Sequence, residues 1–142
     1  MDKEAVRDVL FVTNHIDELI RVAAFMEELG EKWGLSVSLV MSLNLAVEEA
    51  LTNIIAYGYD DESSHTIEIR LEKSGNELFI NVIDDGHEYD PTLKADPDIT
   101  QSAETRKVGG LGIFLIKKIM DTVEYQRTGN KNYLNLTKNI ES

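Results

Sequence analysis

Residues 43–59, LNLAVEEALTNIIAYGY, constrain this chain more than any other stretch. They read as one helix. Leu43, Val47, Ala50, Leu51 and Ile54, with Val40 one turn earlier, fall on one side, so that side must pack on a sheet. With Glu49 as the reference and about 100° per residue, Ser42, Ala46, Asn53 and Ala56 lie beside it, and Leu45 and Thr52 lie at the margins. Glu49 and Asn53 are four residues apart and emerge on one face. An ordinary solvated helix face carries Lys, Arg and several Glu. This one is small or polar with a single charge, and it leaves room for something to sit against a carboxylate and an amide. The competing reading is a partly exposed helix edge with a stray Glu and Asn, and the helix alone does not separate the two.

At 142 residues the chain is expected to form one domain, residues 1–142, with a single core. Its net charge of −12 repels nucleic acid and anionic membrane, so neither is an expected partner, whereas a basic protein surface would suit it. With no cysteine, disulfides and thiolate metal sites are excluded. The opening MDKEAVRDVL holds acidic residues and no long apolar run, so it does not read as a signal peptide. No apolar stretch is expected to approach membrane-spanning length, and the expected location is cytoplasmic.

In chain order, residues 7–13 read as a strand rich in Val, Leu and Phe. Asn14 or Asp17 is the expected cap for a helix over residues 16–34, which Gly34 ends; Ser36 then caps the central helix. Gly58 is a natural stop for that helix. Residues 65–73 and 77–84 alternate in polarity around Ser74-Gly75-Asn76, which predicts a hairpin with one wet face. Between Asp84 and Gly112 the pattern changes. That stretch holds both prolines and no sustained apolar period, and connections of such length are usually functional lids or disordered. A helix over residues 113–121 follows, then a second hairpin, residues 122–128 and 132–138, around Gly129-Asn130. The order β-α-α-β-β-lid-α-β-β predicts an α/β fold, a two-layer sandwich with a mixed, mostly antiparallel sheet covered on one face by three helices.

Three features carry chemistry. The helix offers Glu49 and Asn53. Asp84-Asp85-Gly86 ends a strand that should be central. A carboxylate there, followed by a glycine that lets the backbone turn, can accept a hydrogen bond from an exocyclic amine such as adenine's. Asp-Gly is also a common plain turn. Gly109-Gly110-Leu111-Gly112 opens a helix, where backbone N–H groups and the helix dipole can close on a phosphate, or merely form a hinge. Arg106 and Lys107 lie just upstream, placed to meet terminal phosphates or to be solvated. Together, in this order, the three meet the needs of a magnesium-nucleotide site. Asn53 can give Mg²⁺ a carbonyl oxygen, Glu49 can orient or deprotonate a hydroxyl, and Asp84 can hold a base. Glu48 and Glu49 cannot act as a paired-carboxylate hydrolase, because neighbours on a helix point about 100° apart. Trp33 and Phe25 read as packing residues. His15, His65 and His87 read as solvated.

The whole chain resembles the ATP-binding superfamily of gyrase, the heat-shock chaperone, MutL and histidine kinases. EEALTNIIAYGY looks like its asparagine box, IDDG like its first glycine box and GGLG like its second. The Glu-Ala-x-Thr-Asn-x-x-x-x-Gly-Tyr form of the helix, the compact length and Tyr-Asp-Pro after IDDG look most like the anti-sigma factor serine/threonine kinases of bacterial stress and sporulation control. The resemblance implies a Bergerat-type ATP-binding fold with ATP between helices and lid. By position it implies Asn53 on magnesium, Asp84 on the adenine amine with Gly86 beside it, Gly110 and Gly112 at the phosphates, and Glu49 as catalytic base. It also implies a homodimer, an anti-anti-sigma antagonist protein as phosphoryl acceptor and a sigma factor as the sequestered partner. The sequence departs from the pattern at Glu88, where a second glycine is usual, and at Ala56, where the gyrase-like branch has Asp. Two functions remain: a kinase of the antagonist, or an ATP-binding partner-switch module without turnover. Glu49 favours the kinase, since a switch needs nucleotide affinity but no base.

Overall fold

The computed structural model describes residues 5–93 and 110–140. Strands β1 (Val6–Thr13), β2 (Thr66–Ser74), β3 (Glu77–Asp84), β4 (Thr122–Thr128) and β5 (Lys131–Asn139) form one sheet in the order β1-β2-β3-β5-β4. Helices α1 (Leu19–Trp33) and α2 (Val37–Tyr57) connect β1 to β2, and α3 (Gly110–Ile119) precedes β4. The sheet was expected to be mostly antiparallel, and every pairing among these strands is antiparallel. β3 is central, as its apolar run predicts.

Alternation puts Ile67, Ile69 and Leu71 of β2, Leu78, Ile80 and Val82 of β3, and Leu134 and Leu136 of β5 on one buried face. Val22, Met26 and Leu29 of α1, Leu43, Val47 and Leu51 of α2, and Ile113 and Ile116 of α3 join them in one core. Each such side chain contributes about 1.5–3 kcal/mol on burial. Asp84 and Asn132 continue the inward phase of β3 and β5 at their ends, which is how the alternation delivers polar groups to the edge of the core.

The helix ends mix agreement and surprise. Ser36 caps α2, its Oγ accepting from the Leu39 N–H at 3.1 Å. Gly34 ends α1 with φ of 70°, the left-handed region that glycine enters without strain. Neither Asn14 nor Asp17 caps α1. A short 3-10 turn, Ile16–Glu18, leads into it instead. Asn14 is used elsewhere, its Oδ1 accepting from His65 N at 2.8 Å and tying the end of β1 to the start of β2. Ala46, expected on the open face beside Glu49, is fully buried, because α3 packs against that side of α2. With 21 residues, α2 is long and apolar enough to cross a membrane by length and composition alone. An expectation based on uninterrupted apolar runs passes it over, because Glu48, Glu49 and Asn53 break the run.

Candidate functional site

The register of the sheet places Asp84 opposite Asn132, and Asn132 opposite Arg127, so three polar residues form a row across β3, β5 and β4. Asp84 and Asn132 are each only 6% exposed. Asn132 Nδ2 donates to Asp84 Oδ1 at 3.0 Å, to the Gly86 carbonyl at 3.3 Å and to the His87 carbonyl at 2.8 Å. Its Oδ1 accepts from Arg127 Nη1 at 3.1 Å and from the Tyr125 hydroxyl. Arg127 also donates to the Gly86 carbonyl at 2.8 Å.

Asp84 Oδ1 thus receives Asn132 and, at 2.8 Å, the Gly86 N–H. Among the described residues no donor reaches Oδ2. Burial raises the Asp84 pKa, opposed by the bonds from Asn132 and Gly86 and by the Arg127 charge; burial prevails. Asp84 and Asn132 line a cavity of about 30 Å³ together with Asn53, Tyr57 and Tyr89.

The turn after Asp84 is fastened to the end of α2. His87 N donates to the Gly58 carbonyl at 2.8 Å. Gly86 sits so close that a Cβ there would lie 2.5 Å from that same oxygen, which is why the position holds glycine. Of the adjacent acids, Asp84 turns inward, while Asp85 is exposed and accepts from the Tyr59 hydroxyl at 2.8 Å. Burial and the two aspartates raise the Tyr59 pKa, keeping that donor protonated. His65 is not simply solvated. Its ring stacks on Tyr59 with centroids 4.0 Å apart, and Nε2 meets Asp61 Oδ1 at 2.8 Å. His87 and Glu88 are exposed, whereas Asp84 is buried.

On α2, the adjacent glutamates differ. Glu48 accepts from Asn44 Nδ2 at 3.0 Å. Glu49 has no donor among the described residues. Burial raises its pKa, and the neighbouring Glu48 charge raises it further. The first turn of α3 lies against it: a Cβ on Gly112 would stand 2.9 Å from Glu49 Oε2. Asn53 is one turn further along α2, at the cavity that Asp84 lines. Glu49, Asn53, Asp84, Gly86 and Gly112 are therefore gathered around one end of α2. Gly110 and Leu111 enter as helix backbone. Arg106, Lys107, Gly109 and most of the expected lid lie outside the described residues. Sequence reasoning passed over Asn132, Tyr125 and Arg127. The available signal was Asn132 in phase with Leu134 and Leu136, a polar residue in an inward position.

The family model for the histidine kinase-like ATPase domain matches residues 12–138. Over 109 residues the chain is 31% identical to the serine/threonine-protein kinase BtrW of Bordetella bronchiseptica, covering 77% of this chain and 75% of that one. It is 31% identical over 122 residues to an anti-sigma F factor of a Thermoanaerobacter species, covering 85% and 82%. The serine-protein kinase RsbW of Listeria monocytogenes is 30% identical over 95 residues, and there the match spans 64% of this chain and 60% of that one. Among solved structures, the RsbU and RsbW domains of Rv1364c from Mycobacterium tuberculosis share the fold, with a TM-score of 0.66 at 16% identity over 94% of this chain and 32% of the other. The chain belongs to the histidine kinase-like ATPase domains, within their anti-sigma factor kinase branch.

Proposed function

We propose that the chain is an anti-sigma regulator that binds MgATP and phosphorylates a serine or threonine of an anti-anti-sigma antagonist protein. The transfer frees it to hold a sigma factor inactive. The observation that carries this reading is Glu49, a partly buried carboxylate with no donor among the described residues, set against Gly112 in the first turn of α3 and one turn from Asn53. A nucleotide switch has no use for such a base. A kinase needs one to take the proton from the attacking hydroxyl. As the new O–P bond forms and the bond to ADP breaks, that proton passes to a Glu49 oxygen.

The donor set suits the ligands. No cluster of three His, Asp or Glu able to hold a metal occurs among the described residues. A single amide oxygen from Asn53, completed by phosphate and water, suits magnesium, which holds its waters tightly. Bound there, magnesium would neutralise phosphate charge. Asp84 Oδ2 is the acceptor for the adenine amine, and Arg106, Lys107 and the Gly109–Gly112 stretch are the proposed phosphate contacts. The cavity of about 30 Å³ has room for about one water, so a base requires its lining to rearrange. The proposal includes a homodimer. Phe11, 53% exposed on edge strand β1, suits such a surface; Phe25 and Trp33 pack against the core.

Thermal unfolding with and without MgATP tests the site. At a hundredfold excess over the dissociation constant, bound nucleotide stabilises the fold by about 2.7 kcal/mol. A magnesium-dependent rise in Tm in the wild type, lost in Asn53→Ala, is the expected result. No rise in the wild type at millimolar nucleotide overturns the reading.

A further inference from the structure

The row Asp84–Asn132–Arg127 does more than fill a sheet edge. Asn132 is buried, and its amide can face only one way. Its oxygen meets two donors, Arg127 Nη1 at 3.1 Å and the Tyr125 hydroxyl, and its nitrogen meets three acceptors, Asp84 Oδ1 and two carbonyls. A flipped amide would set N–H against the guanidinium and oxygen against the carboxylate. Asp84 Oδ1 is thereby occupied by two donors, leaving Oδ2 as the oxygen with capacity for a ligand. An ionised Oδ2 accepts from a 6-amino group and repels a 6-oxo group. A protonated one donates to a 6-oxo group and wastes its hydrogen on an amine.

We propose that Asn132, held by Arg127 and Tyr125, is a positioning residue that keeps Asp84 an acceptor and so makes the site select a 6-aminopurine over a 6-oxopurine. This rests on the nucleotide reading above and names what sets its specificity. Burial pushes Asp84 toward its protonated form, and the Asn132 bond is the largest of the opposing influences. Other titratable and charged groups also surround Asp84. They are Asp85 and His87 on its own loop, Tyr59 and His65 on the α2–β2 connection, Lys131 at the start of β5, and Tyr125 and Arg127 on β4.

The experiment measures dissociation constants of MgATP and MgITP by calorimetry on the full chain, from about pH 6 to about pH 9. The wild type is expected to prefer ATP by about tenfold to a hundredfold, the range of one hydrogen bond to a charged group, with little dependence on pH. Asn132→Leu loses that preference at the acid end and recovers it as pH rises and Asp84 ionises. Arg127→Met shifts the profile the same way by less. A structural role alone would lower Tm and leave the ATP-to-ITP ratio flat, and that result overturns the proposal. Should Asn132→Leu fail to fold, Arg127→Met on the edge strand decides: a wild-type ratio at every pH overturns it. A wild type that binds neither nucleotide defeats the nucleotide reading itself. A wild type that prefers ATP, with variants that keep the preference unchanged, defeats only the assignment of Asn132.

Discussion

Glu18 and Glu49 are the same residue in opposite surroundings. Glu18, at the start of α1, accepts from Thr13 N at 2.7 Å, from the Thr13 hydroxyl at 3.3 Å and from Arg21 at 3.0 Å. The Thr13 N–H bond, helped by Arg21, lowers its pKa. Glu49 has no donor among the described residues, and burial and Glu48 raise its pKa. A carboxylate supplied with donors is a brace: its charge is stabilised and its proton affinity falls. One denied them is held basic, at a cost to the fold. Asp84 stands between, with donors on one oxygen and burial prevailing. The linkage has opposite signs. Glu18 contributes stability above its unfolded pKa and loses it as pH falls through its lower folded value. The ionised form of Glu49 costs stability as pH rises from its unfolded value to its higher folded one.

The largest effect comes from removing the basic member. Glu49→Gln should lower phosphoryl transfer to the antagonist by about 10²–10⁴-fold, the usual contribution of a general base, while MgATP still raises Tm. Because an unfavourable charge is gone, the variant's Tm at neutral pH should equal or slightly exceed that of the wild type, and the gain should vanish below the ordinary glutamate pKa. Radiolabel transfer and melting curves across pH read both. A wild-type transfer rate would end the assignment of Glu49 as base, and a large fall in Tm would make it a brace like Glu18.

The loop that follows Asp84 sharpens the contrast. At Gly112 an added methyl would meet only the movable end of Glu49, but at Gly86 it would meet the Gly58 carbonyl, backbone that cannot swing aside. Gly86→Ala should therefore cost about 1–3 kcal/mol by overpacking and weaken ATP binding, since the bond from Gly86 N to Asp84 moves with the loop. Denaturant unfolding and nucleotide titration measure the two. Unchanged stability would mean that the α2 end and the loop part easily, and that Asp84 is not held where its hydrogen bonds place it.

Local pattern carried much of this into view. The alternation around Ile69 and Ile80 is set by one strand's own residues, and the Ser36 cap by a turn that a few residues complete. The pairing of Glu49 with Asn53 follows from helical spacing alone. What stayed hidden depends on contacts between distant elements. Ala46 was placed on the open face because the wheel knows nothing of α3. His65 was read as solvated because its partners depend on how the α2–β2 loop folds back on itself, bringing Asp61 and Tyr59 to the ring, and on the loop after β3, which brings Asp85. Asn132 escaped notice because its meaning lies in the β3–β5 register, which places it opposite Asp84 across 48 residues of chain.

The smallest effect tests the brace. Glu18→Gln keeps an amide oxygen that can still accept from Thr13 N, so the turn into α1 survives and only the charge is lost. The Arg21 pair contributes little, because the Arg21 side chain is 55% exposed and surface ion pairs are weak. What remains is the difference between a charged and a neutral acceptor for one N–H, about 1 kcal/mol at neutral pH. That deficit should shrink as pH falls through the lowered Glu18 pKa, where the wild type also becomes neutral. The opposite holds for Glu49→Gln, whose gain is confined to higher pH. The Tm differences of the two variants from wild type are therefore opposite in sign at neutral pH, and both shrink toward zero in acid. A Glu18→Gln deficit that persists unchanged into strong acid would show that the carboxylate's shape rather than its charge braces the turn, and the contrast between the two glutamates would then rest on Glu49 alone.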